Sequence, residues 1–279
     1  MKKYIVVLVL LLVLFLSLLF MNIVKNNKIE SFESSNSVAI ITAIYGNYDT
    51  IKEQNINNKK KVDWYCFTDN KEASSNQWII VNTPYHISDP NNHDNYENSY
   101  SNVKDKTYNM MCAKYYKLQS HKIDILKKYD YIIWIDGSIT LQPDFINNVF
   151  HNIISQNYNL VNFKHSVRNN IKDELDESKK MEKYKHQILT KQYSEYIDDG
   201  FTDNVGLFEN TIIIRKIISK INNVFDLWWL HNKKYTYQDQ ISYPYVLWKM
   251  NVTPDYIINE NVFNNSIYSY VDFNFMQNH

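Results

Sequence analysis

The stretch YDYIIWIDGSITL (residues 129–141) carries the strongest structural signal in the chain. Residues 131–135 form an unbroken apolar run, which is typical of a strand that is buried on both faces of a parallel sheet. The run stops at Asp136, and Gly137 then predicts a turn. This pattern places a carboxylate at the carboxyl end of a central strand, where open α/β sheets bind their ligands.

Similar apolar runs predict strands before and after this one. They cover residues 38–45, 63–68, 77–81, 159–163, 211–214 and 252–258. Helical periodicity predicts helices over residues 106–128, 143–155, 171–196, 217–231 and 238–249. Because strands alternate with helices, we expect an α/β fold with a mostly parallel sheet that is flanked by helices.

The residues that directly follow the predicted strands are the first candidates for a binding site, because the carboxyl ends of parallel strands meet at one edge. They are residues 46–49, 69, 136–138 and 165–168. A carboxylate such as Asp136 can hold a hard divalent cation that neutralises a diphosphate. The second ligand of such a pair usually follows two residues later, where this chain has Ser138. Alternatively, Asp136 caps the following turn.

Several other side chains suit the binding of a phosphorylated ligand. Lys114, Lys117 and His121 fall at helical offsets of three and four residues, so they share a face that either contacts diphosphate or is solvated. Arg168 can bind phosphate or carboxylate with two hydrogen bonds, although a surface role is the alternative. Asp239 lies near a predicted helix start, where it either complements the helix dipole or binds a sugar or acceptor.

The N-terminus predicts a membrane anchor. Residues 4–24 are almost entirely apolar, which matches the roughly 20 residues that cross a bilayer core. We therefore predict an uncleaved signal-anchor over residues 1–24, a polar stalk over 25–37 and a catalytic domain over 38–279. Lysines flank the span on both sides, and we favour a cytoplasmic N-terminus, which makes a type II protein of the Golgi, ER or equivalent secretory membrane.

Composition narrows the function classes. The chain has 30 basic and 30 acidic side chains, a balance that argues against a nucleic-acid-binding protein. Its two cysteines, Cys66 and Cys112, fall within a predicted strand and a predicted helix, so we expect two buried free thiols rather than a disulfide framework.

Six segments together resemble one known family. They are ITAIYGNYD (41–49), DWYCFTDN (63–70), AKYYKLQSHKI (113–123), YDYIIWIDGSITL (129–141), GLFENTIIIRK (206–216) and YQDQISYPYVLWK (237–249). In this order they resemble the glycosyltransferase-like domain, formerly of unknown function, of plant Golgi proteins of mucilage synthesis and turgor regulation. The segment around His165 and Arg168 departs from the family pattern because it lacks a proline, and no C-terminal His-x-x-Gly motif is present.

The resemblance implies a GT-A-like fold, a nucleotide-sugar donor and a divalent metal, Mn²⁺. It points to Asp136 as the metal and diphosphate residue, to Asp49, Lys117 and His121 as nucleotide contacts, and to Asp239 with Gln240 as catalytic or acceptor-side groups. With the residues beside the predicted strands added, we predict a metal held by Asp136 with Ser138, catalysis by Asp239, Gln240 and Glu209, and nucleotide-sugar binding by Tyr45, Gly46, Asp49, Asp69, Lys117, His121, Asp136, His165 and Arg168.

The function that follows is transfer of a hexosyl or uronosyl group, with retention, to a glycan, glycoprotein or other hydroxyl acceptor. One rival is a catalytically inactive, membrane-anchored glycan-binding protein that lost its second metal ligand at Ser138. Another is a nucleotidyltransferase, which would need a basic, glycine-rich first loop, whereas residues 45–49 contain no lysine or arginine.

Overall fold

The structure is a computed structural model that describes residues 11–22, 36–57, 60–83, 104–265 and 267–271. Residues 11–22 form a helix with exposed side chains. Within the ranges described, no helix is both long and apolar enough to cross a membrane. The anchor predicted over residues 1–24 extends beyond this helix on both sides, and most of the predicted stalk also lies outside the described residues.

Nine strands are found in the described part of the chain. They are β1 (Val38–Ile44), β2 (Asp63–Thr68), β3 (Ile79–Asn82), β4 (Tyr131–Ile135), β5 (Ile139–Leu141), β6 (Leu160–Lys164), β7 (Phe208–Lys216), β8 (Tyr256–Ile258) and β9 (Ser269–Val271). Seven of them form one sheet in the order β3–β2–β1–β4–β7–β6–β8, while β5 and β9 form a separate antiparallel pair.

The direction of the strands decides where the site can form. β1 is parallel to β2 and β4, β2 to β3, and β6 to β8, whereas β7 is antiparallel to both of its neighbours. The ends of β1, β2, β4 and β6 therefore lie along one edge, which we call the carboxyl edge. Because β7 runs the other way, it begins at that edge. This arrangement confirms the predicted mostly parallel sheet.

Helices flank the sheet. They are α1 (Lys104–Gln119), α2 (Phe145–Val149), α3 (Ile171–Ser178), α4 (Leu189–Asp198), α5 (Ser219–Lys234) and α6 (Asp239–Lys249). Alternate residues of β1 enter two different cores. Ala39 and Ile41 pack with apolar residues of α1, α5 and α6, whereas Val38 and Ile40 pack with those of α2. The apolar runs are continuous because both faces of the sheet are covered.

Two helix predictions are wrong in extent. The helix predicted over residues 106–128 ends at Gln119 and continues as short 3-10 turns, with Ile123 in an extended conformation. The helix predicted over 171–196 is divided into α3 and α4, because Met181 is also extended. The first break has a consequence for the site, since His121 no longer follows the helical spacing of Lys114 and Lys117.

Candidate active site

Asp136 lies at the carboxyl edge with a partly exposed carboxylate. Its side chain is 35% exposed. Oδ1 accepts a hydrogen bond from Trp134 Nε1 at 2.6 Å and lies 3.5 Å from Lys117 Nζ. The carbonyl of Asp136, rather than its carboxylate, accepts the bond from the Ile139 N–H that closes the next turn (3.0 Å). The backbone thus completes the turn, and the carboxylate faces the two side chains.

A buried ionic cluster lies beside Asp136. Asp239, the first residue of α6, accepts hydrogen bonds from Lys114 and Lys117 of α1, and the Lys117 bond is 2.8 Å long. Burial would raise the pKa of Asp239, but the two lysines outweigh it and hold that pKa well below its usual range. Asp239 is therefore a fixed anion that joins α6 to α1.

The two lysines respond differently to burial. Burial lowers the pKa of Lys117, but Asp136 and Asp239 outweigh it, so the pKa is raised and Lys117 stays charged. Burial also lowers the pKa of Lys114, and here Asp239 does not fully compensate. The Lys114 side chain keeps 15% exposure against 2% for Lys117. Lys114 is thus the more accessible of the two ammonium groups.

A tight turn at the end of β1 forms the next part of the site. The Tyr48 N–H donates to the Tyr45 carbonyl (3.3 Å), and both central residues, Gly46 and Asn47, have positive φ (63° and 52°), as in a type I′ turn. The Asp69 carboxylate, just after β2, accepts from the Gly46 N–H at 3.1 and 3.2 Å. Asp69 therefore holds this turn in place from the neighbouring strand.

Two glycines near this turn are closely packed, and Gly46, with its positive φ, leaves no room for a side chain. A Cβ on Gly46 would overlap the side-chain amide of Asn109 on α1. A Cβ on Gly137 would lie 3.1 Å from Asp49 Oδ2 and 3.4 Å from Asp49 Cγ. The Asp49 carboxylate consequently packs against the backbone of the residue that follows Asp136.

A second cluster of titratable groups begins after β6. His165 is buried, and its Nδ1 accepts from the N–H groups of Val167 (3.1 Å) and Arg168 (3.0 Å). A neutral ring therefore carries its proton on Nε2, which lies 3.6 Å from both Glu174 and Glu209. Burial, together with Arg168, lowers the pKa of His165 to about 4. His165 is therefore a neutral ring that lies between two carboxylates, with Arg168 Nη2 at 3.3 Å from its Nε2.

The first of these carboxylates is held on both oxygens. Arg168 Nε donates to Glu174 Oε2 at 2.6 Å, and Gln238 Nε2 donates to Oε1 at 2.8 Å. Burial nevertheless raises the pKa of Glu174, because the arginine and the other donors only partly offset it.

The second carboxylate belongs to β7. Glu209 Oε1 accepts from the N–H and the hydroxyl of Ser166 (3.2 and 3.1 Å), and Oε2 accepts from Gln240 Nε2 (3.3 Å). Burial raises its pKa as well. Both oxygens of Glu209 are thus occupied by neutral donors.

Strand β7 joins the two clusters. The Thr211 carbonyl accepts from the Asp136 N–H (2.8 Å), and Glu209 lies two residues earlier in the same strand. The register between β6 and β7 shifts beside Phe163, which is a β-bulge. Bulges re-aim side chains next to active sites, and this one lies between Asp136 and Glu209.

The structure places His121 away from the other predicted site residues. Its Nε2 lies 3.1 Å from Asp226 Oδ1 and its Nδ1 lies 3.4 Å from Arg215. Arg215 pairs with Ile132, near the start of β4, whereas Asp136 follows its end. The helix break after Gln119 therefore carries His121 towards the opposite edge of the sheet.

Glu174 is a site residue that the sequence reasoning missed. Helix α3 is rich in charge, and no site residue was predicted in it. However, the buried residues of α3 are Ile171, Glu174, Leu175 and Ser178, at helical spacing. Glu174 lies on this stripe, and a carboxylate on the buried face of a helix was the signal that could have identified it.

The donors around Asp136 fit a shared cation better than a fully protein-bound one. Among the described residues, no three His, Cys, Asp or Glu side chains gather as a metal-binding group. Mg²⁺-like ions are commonly held by one or two carboxylates, waters and the phosphates of a ligand. The Asp136 carboxylate meets that requirement, since its two side-chain contacts both use Oδ1.

Comparison with known proteins places the chain in a family. No curated protein matches it significantly. The family described as TOD1/MUCI70, glycosyltransferase-like domain, matches residues 21–277. This range includes strands β1–β9, helices α1–α6 and the residues of both clusters. The match confirms the resemblance carried by the six segments. The chain therefore belongs to the TOD1/MUCI70 glycosyltransferase-like domain family.

Proposed function

We propose that the chain is a glycosyltransferase that binds a nucleoside-diphosphate sugar at the carboxyl edge and transfers the sugar to a hydroxyl group of a glycan, glycoprotein or other acceptor. The observation that carries this proposal is the partly exposed carboxylate of Asp136 at the end of central strand β4. Family membership and the mostly parallel sheet support a GT-A-like arrangement of the donor site.

The buried lysines have different roles in this proposal. Lys117 is too enclosed to reach a donor, so it holds Asp136 and Asp239 in place. Lys114 is more accessible and has three N–H donors, of which Asp239 takes one. We assign Lys114 to the leaving diphosphate, where a preorganised cation stabilises the charge that develops in the transition state.

A divalent cation, Mn²⁺ in the first instance, completes the proposed donor site. When bound, it would neutralise the diphosphate as a Lewis acid. Asp136 would hold it through the oxygen that faces away from Trp134 and Lys117. The indole and the ammonium fix the carboxylate, so that little reorganisation is needed when the donor binds.

We propose that the sugar is transferred with retention. An inverting enzyme needs a carboxylate base beside the acceptor hydroxyl. Asp239 is neutralised by two lysines, and both oxygens of Glu209 are occupied, so these two carboxylates act as positioning groups. Proton NMR of the first-formed product tests this proposal, since an anomer opposite to that of the donor would contradict it.

The decisive experiment for the function is a panel of nucleoside-diphosphate sugars assayed for release of the nucleoside diphosphate with Mn²⁺. We expect turnover with at least one donor, and a loss of at least about a hundredfold in Asp136→Ala. Equal turnover by the two proteins would refute the site. Glycan binding without affinity for any nucleotide sugar would instead favour the rival, a catalytically inactive binding protein.

We also propose that the N-terminus anchors the protein in a secretory membrane with its body in the lumen. The large apolar side chains in the helix at residues 11–22 are 48–67% exposed, and the apolar run extends over residues 4–24. Extraction of membranes with alkaline carbonate should leave the full chain in the pellet and release a variant without residues 4–24. Release of both proteins would contradict the anchor.

A further inference from the structure

Ser138, at the second position of the sequence pattern for metal binding, is poorly placed to be a metal ligand. Ser138 replaces the usual second acid, and its carbonyl accepts a hydrogen bond from Lys52 Nζ at 2.9 Å. An ammonium group beside Ser138 disfavours a divalent cation at that point by like-charge repulsion. A second carboxylate at this site would therefore come from another part of the chain.

Asp49 supplies a carboxylate at the right place. Its Oδ2 lies 3.1 Å from the ideal Cβ position of Gly137, which is closer than an ordinary van der Waals contact. Gly137 separates Asp136 from Ser138, so Asp49 lies directly beside the residue that follows Asp136. The turn that ends β1 and the Asp69 bond to Gly46 bring Asp49 to this position.

The turn after β1 therefore places the Asp49 carboxylate against the residue next to Asp136, and the two acids follow neighbouring parallel strands. Two nearby carboxylates repel each other unless a cation is shared between them, which gives a divalent ion a specific place to bind.

We propose that Asp49, rather than Ser138, is the second protein ligand of the divalent cation at Asp136. The inference rests on the proposed donor site and adds a residue from β1 to it. Gly137 has a defined role in this arrangement, because its missing side chain leaves room for the Asp49 carboxylate. The two acids are contributed by neighbouring parallel strands instead of by one contiguous motif.

The test is Mn²⁺ binding measured by electron paramagnetic resonance on the full chain in the presence of UDP. We expect Asp49→Asn and Gly137→Ala each to weaken Mn²⁺ binding at least about tenfold, because the first removes the ligand and the second displaces it. We expect Ser138→Ala to bind Mn²⁺ like the wild type. Thermal unfolding of each variant checks that it is folded, and Gly137→Ala tests the same geometry without removing a charge.

The outcomes separate this inference from the function on which it rests. Normal Mn²⁺ binding by Asp49→Asn, with a loss in Ser138→Ala or in Asp136→Asn alone, would overturn the role of Asp49 and leave the proposed function intact. No Mn²⁺ binding by the wild type with UDP or any other nucleoside diphosphate would overturn the cation site itself. Similar losses of Mn²⁺ binding in Asp49→Asn and Asp136→Asn would support both the role of Asp49 and the cation site.

Discussion

At the residue scale, the site depends on charges that are held out of water. Lys117 is 2% exposed and lies within 4 Å of two aspartates, so its charge is compensated on both sides. Removing one member of a buried ion pair is costly, because the remaining charge stays desolvated and unpaired. The position of Asp136, which follows β4, therefore depends through Lys117 of α1 on Asp239 of α6.

Asp239→Asn tests this dependence. The substitution keeps the shape of the side chain and leaves two buried lysines without their shared anion, so we expect the free energy of unfolding to fall by about 3 kcal/mol. Urea denaturation measures the change. Asp124→Asn is the control, because Asp124 forms an exposed pair with Lys127 and its loss should leave the midpoint unchanged. Equal midpoints for wild type and Asp239→Asn would contradict the account.

Sequence reasoning succeeded for residues that follow strands. Asp69, Asp136 and His165 were predicted at one edge because apolar runs reveal strand ends, and the topology brings them there. The burial of Glu174 was not predicted, although its spacing from Ile171 and Leu175 places it on the buried stripe of α3. The spacing cannot indicate that Arg168 and Gln238 hold the carboxylate, because those contacts depend on how α3 packs.

At the element scale, the turn after β1 connects three parts of the site. It is held by Asp69, packs against α1 through Gly46 and Asn109, and carries Asp49 to Gly137. The sequence indicated a turn there, since Gly46-Asn47 breaks an apolar run. It could not indicate which element the turn contacts, because that depends on how α1 packs against the sheet.

Gly46→Ala tests the packing of this turn. A positive φ costs a residue with a side chain about 1–2 kcal/mol, and the overlap with Asn109 adds to that cost. The matched control is Gly200→Ala, since Gly200 also has a positive φ (94°) but no atom within 4 Å of the added methyl group. Thermal unfolding should show a larger loss for Gly46→Ala. A similar loss for both would mean that the contact with Asn109 contributes nothing.

At the scale of the whole molecule, one sheet gathers distant segments into a single edge. Strands β1, β2, β4 and β6 end there, and β7 begins there because it is antiparallel. A strand's direction is not encoded in its own apolar pattern. The sequence could therefore not show that β7 starts, rather than ends, at the carboxyl edge, which is what places Glu209 there. The same assembly buries several histidines, which couples its stability to pH.

Stability should fall as the pH is lowered from 7 to 5. Burial lowers the pKa of His121, and it lowers the pKa of both His165 and His231 to about 4. Unfolded histidines take up protons near pH 6.5, so the unfolded state binds more protons below that pH and is favoured. Glu174 and Glu209 act in the opposite direction, because their pKa values are raised on folding.

The expected effect is about 2 kcal/mol at pH 5 for a histidine whose pKa falls to about 4, which corresponds to several degrees in Tm. Thermal unfolding at pH 7, 6 and 5 measures it. His165→Gln should show a shallower decline than the wild type. An equal decline in His165→Gln and the wild type would show that His165 is not held neutral.

Anomalous X-ray diffraction at the manganese edge, from crystals soaked with Mn²⁺ and a nucleoside diphosphate, would locate the cation and the nucleotide together. We expect an anomalous peak at coordination distance from the Asp136 carboxylate, with the diphosphate beside it at the carboxyl edge. A nucleotide bound elsewhere, for example beside His121 and Arg215, or a peak that makes no contact with Asp136, would rule out the proposed donor site.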